Sequence, residues 1–440
     1  MALQHLSPSL PAWPWLVRLR QRKALMTVAS NAGWLLADRM VRLLLGFVVG
    51  AWVARYLGPS QFGHLSYVLS FIALFQAITT LGADTIIVRD IAHQPDMANE
   101  LLGALFRMRL GAGIICWVLA IVISAIINPA EHGTILLTAI VGGILVFQAA
   151  DTIDLWFQSQ SQSKRTVQAK LVAYMISNGF KLLLIFAKAP LIAFAFAFLL
   201  DTAVAAGGLA VAYRTLPTAR KWHADLHVAW RLARTSWPFL ISGLSVMIYM
   251  RIDQIMLKEM RGDRELGIYA AALPISQLWQ TIPMTLSISL APFVARKKKE
   301  SQQAYEDALL HIFRLFGLCA LIVSCATAAM APIIIPFLYG PNFVETSRIL
   351  SIHVFSNIFV ALGVAQGLWL TNENAGHLSL IKTVCGGIAA VVGNAILIPK
   401  WGAEGAAIVC ILSFATSAVL TNIILAPRIF LMQLGIRVSR

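Results

Sequence analysis

The chain has 440 residues, of which 58% are hydrophobic and only 12% are charged, and its mean hydropathy is +0.75. In soluble domains roughly a quarter of all residues are charged, so this composition excludes a soluble protein. It predicts a polytopic membrane protein whose fold is all-α. Lys and Arg on cytoplasmic loops orient membrane proteins against anionic headgroups. This accounts for the formal net charge of +15, and we expect no nucleic-acid partner.

Residues 1–30 are predicted to form a cytoplasmic N-terminal tail. Prolines interrupt its start, and its basic run 18–23 follows them and precedes no short apolar core, so it does not read as a secretory signal. From residue 31 onward the sequence contains apolar segments of the length, about 20 residues, that a bilayer-crossing helix needs. We count twelve of them, at approximately 31–53, 62–88, 106–127, 135–157, 168–187, 190–213, 236–257, 267–293, 308–337, 347–370, 378–398 and 404–426.

The basic residues predict the orientation of these segments. With the N-terminal tail in the cytoplasm, most of the 35 Lys and Arg residues fall on connections that face the same side, among them Lys170 and Lys382. Such an excess marks cytoplasmic loops. We therefore expect both termini, including a C-terminal tail at 428–440, in the cytoplasm.

The first apolar segment carries three charged residues, Asp38, Arg39 and Arg42. Ionised groups at bilayer depth cost roughly 2.5–3.5 kcal/mol each and usually serve a pathway or a ligand. At spacings of three and four residues they share one helix face, and the planar guanidinium binds phosphate oxygens in pairs. We predict that both arginines bind a diphosphate and that Asp38 holds Arg42 when no cargo is bound. The alternative is a set of snorkelling or mutually neutralising charges.

Helices 4 to 6 also contain polar residues. Gln148, Asp151, Asp154 and Gln158 fall within one stripe of helix 4, which lipid would not accept. We predict that this stripe lines a wet lumen and that one of its aspartates titrates. Two lone charges follow, Lys181 in helix 5 and Asp201 in helix 6, and each is a candidate either for cargo binding or for structural pairing.

Helix 7 contains Arg251 and Asp253, which lie two residues apart and therefore on nearly opposite faces of a regular helix. Arg251 is the better candidate for binding cargo. Asp253 is predicted either to bind a neighbouring helix or to carry a coupling proton.

A weak internal repeat divides the chain. Phe62-Gly63 recurs as Leu266-Gly267, and Gly58 recurs as Gly262, at one constant offset; chance recurrence in apolar sequence is the alternative. An even number of helices separates the copies, so the two halves run parallel around a central site. We predict two six-helix bundles around a central cavity. Their ranges are 31–213 and 236–427, with a cytoplasmic linker at 214–235.

Catalytic and metal-binding patterns are weak. No phosphate-binding loop of the G-x-x-x-x-G-K-[ST] type occurs, and His223 and His227 have the spacing of a zinc motif without its glutamate. The five cysteines fall inside apolar segments at spacings that match no metal site. We expect no cofactor, no metal and no enzymatic activity.

Two stretches of the sequence carry recognisable motifs. They are Ala54-Arg55-Tyr56-Leu57-Gly58-Pro59 with Phe62-Gly63, Leu81-Gly82-Ala83 and Arg89-Asp90, and then residues 250–257 and 267–272 with Trp279, Ile282 and Pro283. These motifs resemble the Wzx-type oligosaccharide flippases, whose superfamily also holds multidrug exporters and the lipid II flippase. The resemblance implies alternating access by two six-helix bundles that move undecaprenyl diphosphate-linked oligosaccharide to the periplasmic leaflet of the bacterial inner membrane.

The resemblance also implies a role in O-antigen, exopolysaccharide or capsule synthesis, hence in lipopolysaccharide or related glycans. Its partners would be membrane lipids and the polysaccharide polymerase and chain-length machinery, and the chain would function as a monomer. Two alternatives stay open. A cation-coupled multidrug or metabolite exporter predicts acidic lumen residues, and an integral-membrane polymerase or ligase predicts a large external loop, whereas the external connections here are short.

Overall fold

The computed structural model describes the chain at residues 14–215, 222–223 and 225–437, with the side chains of Trp34 and of the described residues from Val41 onward. In these ranges the regular structure is helical throughout, without a strand, which confirms the predicted all-α membrane fold. The helices are α1 (Pro14–Thr79), α2 (Asp84–His93), α3 (Ala98–Ile127), α4 (His132–Gly142), α5 (Ile144–Phe147), α6 (Asp151–Ser159), α7 (Lys164–Phe186), α8 (Leu191–Arg214), α9 (Leu226–Arg261), α10 (Asp263–Leu278), α11 (Thr281–Glu300), α12 (Gln302–Tyr339), α13 (Thr346–His353), α14 (Ser356–Asn372), α15 (Gly376–Ala415), α16 (Asn422–Leu425) and α17 (Pro427–Gln433).

Ten spans within the described residues are long and apolar enough to cross a membrane. Two of them, Val41–His93 and Gly376–Leu425, have 53 and 50 residues, more than twice the length of about 20 residues that one crossing needs. Each is interrupted by a glycine with positive φ, Gly58 (φ 71°) in the first and Gly402 (φ 55°) in the second. Because each of these two spans can cross twice, the ten spans accommodate the twelve crossings predicted from hydropathy.

Helix ends differ from the predicted segments mostly by extension. Helix α9 begins at Leu226, inside the predicted linker 214–235, and α1 begins at Pro14, inside the predicted tail 1–30. Hydropathy reports only the apolar part of a helix, whereas the backbone hydrogen bonds continue through polar turns beyond it. The predicted segment ends are therefore too short at several places.

Residues group into two compact units. Unit 1 contains the ranges 1–49 and 75–243, and unit 2 contains 50–74 and 244–440. The segment 50–74 lies in the predicted N-terminal bundle by sequence but groups with unit 2 by contact. The predicted boundaries at 213 and 236 stay a prediction.

In unit 1 the antiparallel pair α7 and α8 positions charged residues inside the membrane-spanning region. The buried Ser177 hydroxyl of α7 donates a hydrogen bond of 2.7 Å to the carbonyl of Ala197 in α8. The connection between the two helices has only four residues, 187–190, and Lys188 within it adopts a positive φ of 51°. This pairing fixes which residues of the two helices face each other.

In unit 2 the internal repeat is visible in the backbone. Gly58 (φ 71°) and its copy Gly262 (φ 89°) both take a positive φ, a conformation that glycine adopts without strain. A Cβ added to Gly63 would collide with the backbone of Asp263 and Gly267, and one added to Gly267 would collide with Pro59 and Gly63. The two copies therefore cross at closest approach through the glycines that the repeat aligns.

The core of unit 2 positions a second polar group. Tyr305, Phe313 and Phe316 of α12 pack with Leu368 of α14 and Met432 of α17. A π-helical turn at Thr416–Leu420 follows α15 and precedes α16. Such turns widen the helix locally and occur frequently at functional sites.

Candidate functional site

Arg42 of α1 and Tyr174 of α7 are held together in unit 1. The Arg42 guanidinium carbon lies 4.9 Å from the centre of the Tyr174 ring, and the Tyr174 hydroxyl donates a hydrogen bond of 2.9 Å to the Arg42 carbonyl. Gly46, one turn along α1, leaves room for the ring, because a Cβ there would collide with the Tyr174 hydroxyl. Sequence and packing thus place a guanidinium on an aromatic face.

Lys181 lies two turns beyond Tyr174 on α7, and its side chain is 7% exposed. Its ammonium nitrogen is 3.9 Å from the centre of the Phe198 ring of α8. Asp201, one turn after Phe198, interacts electrostatically with both Lys181 and Arg42. We call these five residues the basic cluster: Arg42, Tyr174, Lys181, Phe198 and Asp201.

The basic cluster carries two cations and one carboxylate. Lys181 makes no ion pair within 4.0 Å in the described part of the chain, and its neighbour across the helix pair is an aromatic ring. The structure therefore brings together Arg42, Lys181 and Asp201, which the sequence presented as separate candidates. Tyr174 and Phe198 were not predicted, since aromatic residues in apolar helices are indistinguishable by sequence from core residues.

The side chains of Asp38 and Arg39 lie outside the described residues, although the backbone there is helical. The predicted pairing of Asp38 with Arg42 and the contribution of Arg39 to a diphosphate site stay predictions.

The two aspartates of the polar stripe predicted for helix 4 belong to an ion-pair network. The Lys170 ammonium lies 2.7 Å from a carboxylate oxygen of Asp151 and 2.8 Å from one of Asp154. Gln158 donates a further hydrogen bond to Asp154 at 3.2 Å. Lys170 was counted with the cytoplasmic connections, although it falls in the predicted segment 168–187, and it lies in α7, which begins at Lys164. The two aspartates are thus held by a lysine that the sequence reasoning did not pair with them.

In unit 2, Asp253 of α9 binds the neighbouring helix, one of the two roles predicted for it. Its side chain is 8% exposed and accepts a hydrogen bond from the Tyr269 hydroxyl of α10. The next residue, Gln254, accepts a hydrogen bond of 2.7 Å from Ser70. Arg251 interacts electrostatically with Asp253 and makes no ion pair with any described residue, so it stays a candidate for an anionic ligand.

Lys382 is the main functional candidate that the sequence reasoning missed. It was counted with the cytoplasmic loops, but it lies in α15 with 5% of its side chain exposed. Its ammonium donates to the side-chain oxygens of Gln366 and, at 3.0 Å, of Asn422. Lys382, Gly386, Ala390 and Asn394 are all buried at a spacing of four residues, and this stripe was the available signal.

Among the residues that the structure describes, no group of three His, Cys, Asp or Glu side chains is arranged to hold a metal ion. All five cysteines are unpaired by disulfides.

Two protein-family models match the sequence of this chain. The profile of the family described as "Polysaccharide biosynthesis protein" matches residues 28–298, and the MatE profile matches residues 238–396. No curated protein gives a significant match.

Solved structures with the same fold include two transporters and a flippase. An inward-facing multidrug resistance MATE family transporter of the MOP superfamily has a TM-score of 0.71 at 16% identity, over 92% of this chain and 99% of that chain. The lipid II flippase MurJ, in an inward closed conformation, has a TM-score of 0.68 at 12% identity, over 92% and 90%. A MOP superfamily transporter from Pyrococcus furiosus has 0.65 at 16% identity, over 92% and 96%. The family match over residues 28–298 confirms the resemblance inferred from the sequence motifs, and the solved structures show the fold that it implied.

Proposed function

We propose a function from the premise that the chain belongs to the family of polysaccharide biosynthesis proteins. The proposed function is that of a flippase, which moves polyprenyl diphosphate-linked oligosaccharide by alternating access. The chain is a multi-pass membrane protein with the fold of MOP superfamily transporters. Its cargo would cross from the cytoplasmic to the periplasmic leaflet of the bacterial inner membrane, as the undecaprenyl diphosphate-linked unit of a surface polysaccharide.

The observation that carries this proposal is the buried cation Lys181 in the basic cluster. It is 7% exposed, its ammonium lies beside the Phe198 ring, and it makes no ion pair within 4.0 Å among the described residues. A charge at bilayer depth costs roughly 2.5–3.5 kcal/mol on insertion scales, so a protein keeps one there for a ligand or a partner of opposite sign. A diphosphate, with about two negative charges, meets that requirement.

The two cations would divide the work of binding. The planar guanidinium of Arg42 can bind two oxygens of one phosphate, whereas the Lys181 ammonium acts as a point charge on the other. Tyr174 and Phe198 lie 4.9 Å and 3.9 Å from the two cationic groups and orient them before cargo arrives. Because Lys181 is 7% exposed, water would screen its attraction to a phosphate less than in solution.

Asp201 would stabilise the two cations in the cargo-free protein. Its carboxylate interacts with both cations, so it stabilises them while no diphosphate is present and releases them to the cargo by competition. Binding of a dianion then reverses the sign of the cluster's net charge. A ligand shifts a conformational equilibrium only by its differential affinity for the two states, and this change of sign supplies such a difference.

A second candidate is a cation-coupled exporter of the same superfamily. The acidic pair Asp151 and Asp154 favours it, together with the MatE match. Lys170 occupies both carboxylates, however, at 2.7 Å and 2.8 Å, so a cationic drug would have to displace a lysine. The flippase is the better fit to these charges.

The proposal is tested by flipping in proteoliposomes. The purified chain is reconstituted with a fluorescent polyprenyl diphosphate disaccharide, and a membrane-impermeant reductant bleaches the label that reaches the outer leaflet. We expect wild-type protein to expose the protected label, and Arg42→Gln or Lys181→Met to slow this by about tenfold or more, the effect of losing one charge-assisted hydrogen bond. The matched control is Lys299→Gln, which removes an exposed lysine.

Two results would contradict the proposal. One is a protected fraction in wild-type vesicles equal to that in protein-free vesicles. The other is ion-driven uptake of an organic cation by the same vesicles without movement of the glycolipid, which would establish the exporter.

A further inference from the structure

Lys382 presents a charge that no acid neutralises within the described part of the chain. The side-chain oxygens of Gln366 and Asn422 accept two of its hydrogen bonds, and amides are neutral. An ammonium has three donors. One N–H therefore remains for another acceptor.

The amides around Lys382 are locked in orientation. Gln366 donates to the Asn422 oxygen at 2.8 Å, Asn422 donates to the Gln433 oxygen at 2.8 Å, and Gln433 donates to the carbonyl of Ala418 at 2.9 Å. Because their N–H groups are engaged in this chain, their oxygens are available to Lys382. The network thus holds the ammonium in place without cancelling its charge.

The π-helical turn Thr416–Leu420 belongs to the same arrangement. The carbonyl of Ala418, inside the turn, accepts hydrogen bonds from both Asn422 and Gln433. Ser417 from the same turn lines the neighbouring cavity. Turns of this kind occur frequently at functional sites, and this one lies beside both the amide network and the cavity.

A cavity of 250 Å³ opens at Lys382 within unit 2. Its lining combines the aromatic rings of Tyr249 and Phe414, whose centres are 4.7 Å apart, with the hydroxyl groups of Ser379, Thr383 and Ser417. Aromatic and apolar walls with a few convergent polar groups are typical of small-ligand sites. Rings that pack on C–H surfaces and hydroxyls that exchange hydrogen bonds fit a sugar residue.

We propose that this cavity binds a carboxylate-bearing sugar residue of the transported oligosaccharide, and that Lys382 recognises its negative charge. The inference rests on the proposed function and names the class of glycan that the flippase takes. One fixed ammonium matches one carboxylate. A diphosphate would call for the additional cation that the basic cluster has and this cavity lacks.

The expected consequence is discrimination between charged and neutral glycans. A carboxylate completes the hydrogen bonds of Lys382, whereas an ester leaves the third donor without an ionic partner. A site built to bind a charged group favours it by the contribution of one charge-assisted hydrogen bond, about tenfold in affinity or more.

The experiment compares two glycolipids that differ only in charge. The full-length protein in lipid nanodiscs is titrated with a polyprenyl diphosphate disaccharide that ends in glucuronic acid, and with the methyl ester of the same compound. Wild-type protein should bind the acid about tenfold more tightly. Lys382→Met should bind both as weakly as wild type binds the ester, Lys382→Arg should keep the preference, and the exposed-site control Lys299→Met should behave as wild type.

The outcomes separate this inference from the proposed function. Equal binding of acid and ester by wild-type protein overturns the carboxylate site while leaving the flippase intact, and it needs no variant to fold. A preference that persists in Lys382→Met overturns the role of Lys382. If wild-type protein binds neither the acid nor the ester, the inference and the proposed function are both overturned.

Discussion

Replacing Lys170 by alanine should destabilise unit 1 through the two aspartates it leaves behind. Removing one partner of a buried ion pair costs roughly 3–5 kcal/mol, whereas an exposed pair contributes about 0–1 kcal/mol. The side chains of Lys170, Asp154 and Asp151 are 25%, 16% and 41% exposed, which places this network between the two limits. We expect Lys170→Ala to cost about 2 kcal/mol.

Neutralising the acids should recover part of that loss. In Lys170→Ala/Asp154→Asn the more buried carboxylate is no longer charged, so the double variant should be more stable than Lys170→Ala alone. The two single variants and the double variant form a thermodynamic cycle that isolates the interaction between the two side chains.

The assay is thermal unfolding of the purified protein in one detergent at one heating rate, because unfolding of large proteins is often irreversible and the apparent Tm then depends on the rate. Lys299→Ala, at an exposed position, is the control for loss of a lysine. Wild-type stability in Lys170→Ala, or a double variant less stable than Lys170→Ala, would refute the ion-pair reasoning.

Two further predictions concern unit 2. Gly267→Val should lower the Tm, because a side chain there would collide with the backbone of Pro59 and Gly63, and overpacking of this kind costs roughly 1–3 kcal/mol; an unchanged Tm would contradict the close crossing. Tyr269→Phe removes the hydroxyl that donates to the buried carboxylate of Asp253 and should cost about 1–3 kcal/mol. The variant Tyr269→Phe/Asp253→Asn should be the more stable of the two if that hydrogen bond is the cause.

The fold was largely predictable because membrane insertion imposes simple rules. Apolar length sets the number of crossings, and the two glycines that the repeat aligned, Gly58 and Gly262, both take a positive φ. The grouping of 50–74 with unit 2 was not predictable, because it depends on contacts between helices distant in sequence. Hydropathy is averaged over consecutive residues of the sequence, so it contains no information on contacts between distant helices.

The candidate site was predicted residue by residue but not as an arrangement. Arg42, Lys181 and Asp201 were identified because charges in apolar segments are conspicuous. Lys170 and Lys382 were counted with the cytoplasmic connections, although they fall within the predicted segments 168–187 and 378–398, because a lysine near the end of a segment was taken for a loop residue. Their partners, two aspartates in one case and two amides in the other, become visible only with the helices in place.

The most direct test of the central claim measures whether the basic cluster makes the protein bind a diphosphate more tightly than a monophosphate. The affinity of nanodisc-embedded protein is compared for a polyprenyl diphosphate sugar and the corresponding monophosphate sugar, in wild type, Arg42→Gln and Lys181→Met. The account predicts that wild type prefers the diphosphate by about tenfold or more and that either substitution removes most of that preference. Equal affinity for the two lipids in wild type, or a preference unchanged in both variants, would contradict it.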